Sequence, residues 1–216
     1  MNIETNGNLT KIRPLEPSFN VSQQSVDDCI KIAKFNALNK KLFNNCCNVN
    51  CPISINTLSK CISNGSYNAS IMFVDAYPSE YESFTGSVTD NKGYLLNESL
   101  KNTKYNRADI YCTTLIKCSN LQGLNEGIIN NCLQQYFCKE FELIRPKKVI
   151  FTSSAFNAGL KYNIIPAIGN VNYFSKVKAE IYGIETNIYI VYDINALSEQ
   201  QQEAFKQGLS YILGGD

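Results

Sequence analysis

Four short runs of β-branched and aromatic residues punctuate the chain: Ser70-Ile71-Met72-Phe73-Val74-Asp75, Ala108-Asp109-Ile110-Tyr111-Cys112-Thr113, Lys148-Val149-Ile150-Phe151-Thr152 and Asn187-Ile188-Tyr189-Ile190-Val191-Tyr192. Each has the length and composition of a strand. Between and after them, apolar residues recur at helical intervals over 92–102, 124–144, 154–161 and 198–213, with Ile128, Leu133, Phe137, Phe141 and Ile144 on the apolar side of the second. Strands separated by helices require right-handed crossovers and a sheet covered on both faces. The predicted fold class is therefore α/β, a three-layer α/β/α sandwich around a central four-stranded parallel sheet. Ahead of the first strand, Ser25 and Asp28 have capping-box spacing, and Val26, Cys29, Ile30, Ala33 and Ala37 follow at helical intervals. They predict a helix over 26–43 that ends at the polar Asn44-Asn45. Residues 1–24 are rich in Asn, Ser, Gln and Pro and show no period, so they are expected to form a flexible arm before a domain at 25–216. Ile12, Leu15 and Phe19 in that arm are enough to order on a partner but too few to pack alone.

In such sheets ligands bind at the carboxyl ends of the strands. That directs attention to residues 75–82, 113–118, 152–154 and 193–195. With 216 residues, 44% of them hydrophobic, the chain is sized for one domain with a substantial core. Its 20 basic against 19 acidic residues leave a net charge of +1, weak for a protein that must neutralise many phosphates. No apolar run is long enough to span a bilayer and no secretory leader is readable at Met1, so a cytoplasmic protein without a membrane partner is expected. The Asn-, Lys- and Ile-rich composition is typical of a low-GC genome; with a phage or viral source, the location becomes host cytoplasm or virion. There is no histidine, which removes every imidazole base and every Ser-His or Cys-His pair. Nine cysteines, an odd number, argue for thiols or a metal centre over a disulfide framework.

Read in order, the strand ends give Phe73-Val74-Asp75-Ala76-Tyr77-Pro78-Ser79, then Thr85-Gly86, then Asp109-Ile110-Tyr111-Cys112-Thr113-Thr114-Leu115-Ile116-Lys117-Cys118, then Leu143-Ile144-Arg145-Pro146-Lys147-Lys148-Val149-Ile150. This series resembles the uracil-DNA glycosylase superfamily, specifically its iron-sulfur branch, family 4, over about residues 46–197. The resemblance implies an iron-sulfur cluster (4Fe-4S) held by cysteines, and the positional matches are Cys47, Cys51, Cys118 and Cys132. The first pair is spaced Cys-x3-Cys where the family has Cys-x2-Cys, and Cys46 and Cys138 are rival ligands. On the residues alone, buried thiols filling small apolar gaps remain an alternative, and this is the preferred reading for Cys29, Cys61 and Cys112.

The same resemblance implies a pocket whose chemistry is gone. The family's Glu, which activates the attacking water, is matched by Ala76, which holds no proton. Its base-reading Asn is matched by Thr114, and the His that stabilises the leaving base is matched by Asp193, whose charge has the wrong sign. The stacking aromatic is missing, since Gly86 is followed by Ser87-Val88-Thr89. Ala76, Tyr77, Thr114 and Asp193 thus form a degenerate pocket with no catalytic residue. Nearby Asp75, Glu80 and Glu82 are either solvated carboxylates or a new acid or base, and Tyr77, Tyr81 and Phe84 are bulky enough to fill the site. Lys117, Arg145, Lys147 and Lys148 form a candidate nucleic-acid contact. The expected function is a catalytically degenerate glycosylase-like protein that keeps its cluster and serves in binding or assembly, with protein partners and only weak DNA contact. Two alternatives stand beside it: a glycosylase of altered base specificity using Asp75, Glu80 or Asp193, and a purely structural subunit of a larger particle without nucleic-acid binding.

Overall fold

The computed structural model describes residues 23–45, 51, 60–85, 90–101, 103–119, 124–194 and 197–214. The expected arm up to residue 22, Cys46, Cys47, residues 86–89 and Asn195 lie outside the described residues. The elements are α1 Gln23–Asn45, β1 Ile71–Asp75, α2 Glu80–Thr85, α3 Asp90–Leu100, β2 Ile110–Thr114, α4 Glu126–Cys132, α5 Cys138–Ile144, β3 Lys148–Thr152, α6 Ser153–Lys161, β4 Val177–Ile181, β5 Ile184–Val191 and α7 Glu199–Gly214.

The sheet has five strands in the order β2-β1-β3-β5-β4. Strands β2, β1, β3 and β5 are parallel, as expected, whereas β4 is antiparallel to β5. The expected four-stranded parallel sheet is thus corrected to a mostly parallel sheet of five. The added strand forms a hairpin through Tyr182 and Gly183, at φ 50° and 73°. Positive φ at both turn residues matches the twist of a two-residue hairpin, and glycine supplies one of them without strain.

β1, β2 and β3 are buried at every position, which is why they read as runs of mostly apolar and β-branched residues. Their side chains alternate between two cores. Met72, Val74, Tyr111, Val149, Phe151, Ile188 and Ile190 pack with Phe35 of α1, Phe141 and Ile144 of α5 and Ala155 and Phe156 of α6. Ile71, Phe73, Ile110, Ile150, Tyr189 and Val191 pack on the other side with Leu95, Leu96 and Leu100 of α3 and Phe205, Leu209, Ile212 and Leu213 of α7. Helices therefore cover both faces.

Between α4 and α5 the chain makes one π-helical stretch, Leu133–Phe137, so the helix expected over 124–144 is continuous but locally widened. It stops at Arg145, whose left-handed φ of 52° lets its N–H return to the Phe141 carbonyl ahead of Pro146. On the free side of β2, the segment around residues 60–64 pairs with the sheet: Asn64 and Cys112 exchange two backbone hydrogen bonds, and the Cys61 N–H reaches the Lys117 carbonyl. Gly65 follows at φ 127°, where a Cβ would stand 2.1 Å from the Ile110 oxygen.

α1 begins at Gln23, inside the expected arm, and its orientation differs from expectation. Phe35 and Leu42 are its buried residues, at 1% and 2% exposure, with Leu38 packed beside Leu42. Val26, Cys29, Ile30, Ala33 and Ala37, whose spacing predicted the helix, are exposed. Cys29 is therefore corrected from a gap filler to a surface thiol.

Candidate functional site

The carboxyl ends of β1, β3 and β5 hold two carboxylates linked by hydroxyls. Asp75, 6% exposed, closes β1. Its Oδ1 accepts from the Ala76 N–H at 2.8 Å and from Thr152 Oγ1 at 2.9 Å. Just past β5, Asp193 accepts from Ser153 Oγ at 2.6 Å, Ser154 Oγ at 2.6 Å and the Ser154 N–H at 2.9 Å. These serines open α6, so the Asp193 carboxylate also sits at the positive end of a helix dipole. Thr152 Oγ1 and Ser154 Oγ lie 3.3 Å apart between the two acids. A hydroxyl carries one proton, and here each is directed at a carboxylate.

Burial pushes the Asp193 pKa up, but the hydrogen bonds from Ser153 and Ser154 outweigh it and hold the group below the ordinary aspartate value. A depressed folded-state pKa contributes stability above the unfolded value of about 4 and loses it as pH falls through the folded one. The acid-side loss of stability should therefore be shallower in Asp193→Asn than in the parent, and the variant should be less stable at neutral pH. Urea unfolding followed between neutral pH and about pH 3 reads both effects; parallel profiles for the two proteins would contradict the assignment.

The other pocket positions fall nearby without adding reactive groups. Ala76 is buried, and its carbonyl accepts from the Ile116 N–H at 3.0 Å. Thr114 pairs in register with Asp75, and its buried Oγ1 has no hydrogen-bond partner among the described residues. Tyr77 and Tyr81 are 45% and 55% exposed, so neither fills the site. The side chain of Phe84 lies outside the described residues. Glu80 is exposed, and Glu82 is buried in a reciprocal cap: its Oε2 accepts from the Ser79 N–H while Ser79 Oγ accepts from the Glu82 N–H.

The four basic residues do not form one face. Lys147 and Lys148 enter β3 at its amino end, whereas Lys117 follows the carboxyl end of β2; in a parallel sheet these are opposite ends. Lys117 is 1% exposed and Glu140 2%. Lys117 Nζ lies 2.6 Å from Glu140 Oε2, 2.5 Å from Thr113 Oγ1 and 3.1 Å from Ser63 Oγ. Ser63 Oγ is 2.5 Å from Glu140 Oε1, and Thr113 Oγ1 is 2.6 Å from Oε2. Burial and the Glu140 charge push the adjacent Tyr111 pKa well above its ordinary value, so that phenol stays neutral. Lys148, 7% exposed, donates to the Ile212 carbonyl in the last turn of α7. Only Arg145 and Lys147 are exposed, and Lys147 lines a cavity of about 530 Å³ shared with Lys178, Glu180 and Glu185, whose charges offset. Glu140 was not anticipated. Its signal was a carboxylate in register with Phe137, Phe141 and Ile144 on the apolar side of the predicted helix.

The cysteines divide by surroundings. Cys61 and Cys112 belong to the core between the sheet and α3/α7, as expected. Cys51 and Cys118 pack together with Ile128 of α4. One helical turn beyond Ile128, Cys132 packs with Leu42 and Tyr136. Cys138 instead points its thiol at Glu142 Oε1, 3.5 Å away, and burial together with that carboxylate pushes its pKa up to about 11. Cys51 and Cys118 thus share one apolar cluster, whereas Cys132 belongs to another, one helical turn from Ile128; shielded thiols of this kind are the soft donors that an iron-sulfur group takes. Among the described residues no three side chains complete a metal-binding group, and Cys47 lies outside them. Among the described residues, no helix is long and apolar enough to cross a membrane. Compared with known proteins, the chain matches no family model and no curated protein.

Proposed function

We propose that this chain is a uracil-DNA glycosylase-like scaffold that no longer excises a base and serves as a binding component of a larger assembly. The observation that carries the reading is the anchored carboxylate of Asp193. Base excision leaves negative charge on the departing base, and an ionised carboxylate held by three hydrogen bonds at that end of the sheet raises the energy of that charge. Ala76, which follows the carboxyl end of β1, offers no group to activate water. The parallel order β2-β1-β3-β5 and the position of Asp193 past the last parallel strand are consistent with the resemblance. Asp75 is read here as a structural anchor, its Oδ1 tying the end of β1 to Thr152 at the end of β3.

Cys47, Cys51, Cys118 and Cys132 would hold a 4Fe-4S cluster, with Cys46 the rival for the first position. Its contribution would be a covalent cross-link among loop, strand end and helix. Partners are proteins in this reading, with DNA contact limited by a net charge of only +1.

The test is a glycosylase assay on uracil-containing single- and double-stranded DNA. No abasic product above background is expected. Protein-dependent strand breaks after alkali, abolished by Asp75→Asn, would replace this reading with a glycosylase of altered chemistry.

A further inference from the structure

We propose that two copies of this chain pair through their α1 helices, antiparallel about a two-fold axis. The outward face of α1 carries Val26, Ile30, Ala33 and Ala37 at spacings of four, three and four, the seam of a two-stranded coiled coil. All four are exposed, Val26 by 39% and Ile30 by 49%, and they lie on the side of the helix opposite Phe35 and Leu42. The seam spans about 16 Å of helix at 1.5 Å per residue.

Two independent features select a second copy as the occupant and set its direction. The first is size. A two-fold between residues 31 and 32 places Val26 opposite the partner's Ala37 and Ile30 opposite the partner's Ala33, so every layer joins a large side chain to a small one. Parallel pairing would stack Val26 and Ile30 on themselves and leave two alanine layers underfilled.

The second is charge. Asp27 borders the seam at one end, whereas Lys34 and Lys41 border it further along the same flank. Antiparallel pairing brings Asp27 toward Lys34 of the partner subunit, twice per dimer; parallel pairing brings these residues no opposite charge. Beside Ala37, α1 and α5 bound a groove of about 510 Å³ lined by Leu38 and Leu143 and rimmed by Lys34, Lys41, Lys139 and Glu142. Its apolar floor and net positive rim fit the partner's Val26 and Asp27. The pairing does not depend on the reading of the strand-end pocket.

Sedimentation velocity on the full chain, over a hundredfold range of concentration, should show a reversible monomer–dimer equilibrium. Ile30→Glu should remain monomeric throughout, with unchanged circular dichroism and, at the dilute end of the range where the parent is monomeric, unchanged melting, because the side chain is exposed in the monomer. Asp27→Lys and Lys34→Asp should each weaken dimerisation by roughly tenfold, and combining them should restore it. A monomer at every concentration overturns the proposal. So does a dimer that survives Ile30→Glu, or a charge reversal without rescue. If removing residues 1–22 converts a monomeric full chain into a dimer, the chain's own N-terminal segment covers the seam and the proposal fails.

Discussion

Replacing Lys117 with methionine should destabilise the domain by about 3–5 kcal/mol, the usual cost of stranding one member of a buried ion pair. That is a large share of the roughly 5–15 kcal/mol that holds a domain folded. Lys117 and Glu140 are 1% and 3% exposed at their side chains and 2.6 Å apart. Without the ammonium, the Glu140 carboxylate keeps neutral hydroxyl partners, Ser63, Thr113 and Tyr111, and no balancing charge in a buried site. The double variant Lys117→Met/Glu140→Leu should recover most of the loss, because neither charge then needs solvation. Urea unfolding with an unchanged m-value is the measurement. A single-variant loss below about 1 kcal/mol would show that water reaches the pair.

Protein purified without oxygen should carry iron and a broad visible absorption band, and Cys118→Ser should remove both. Cys132→Ser should act in the same direction. Cys138→Ser should leave the band intact, since that thiol is engaged with Glu142. Cys61→Ser should do so too, because the Cys61 side chain is packed in the core between the sheet and α3/α7. Iron-free, colourless parent protein would leave Cys51 and Cys118 as core packing only. Loss of colour in Cys138→Ser with retention in Cys132→Ser would move the fourth ligand.

The parts of the fold that were legible in the sequence are those whose burial is two-sided. β1, β2 and β3 lie between helical layers, so nearly every residue is apolar or β-branched and the run announces itself. β4 escaped notice because only one side of it is covered and Lys178, Ala179 and Glu180 are poor strand formers. Yet Val177, Ala179 and Ile181 alternate with the charges, and Gly183 follows: the signal was there, in period two.

α1 was legible as a helix but not in direction. Its outward face repeats apolar residues more regularly than the face carrying Phe35, Leu38 and Leu42, and periodicity alone does not say which side meets the core. The site was legible to the extent that it follows strand ends: Asp75, Thr114, Thr152 and Asp193 were all in the segments singled out. Their connections were not. Thr152 reaches Asp75 across 77 positions and Lys117 reaches Glu140 across 23, distances set by how the strands align and how α5 lies on the sheet.

The pairing of residues 60–64 along β2 bears on how copies of this chain avoid one another. A sheet edge offers unpaired N–H and C=O groups to any extended strand, and fusion of edges is the route into fibrous aggregates. One edge here is occupied by the chain's own backbone at Asn64 and Cys61. The other belongs to β4, a five-residue strand whose Lys178 and Glu180 project exposed charge at alternate positions. An approaching strand meets a blocked ladder on one side and a short, charged one on the other, so the sheet should resist growth by strand addition even when the protein is concentrated.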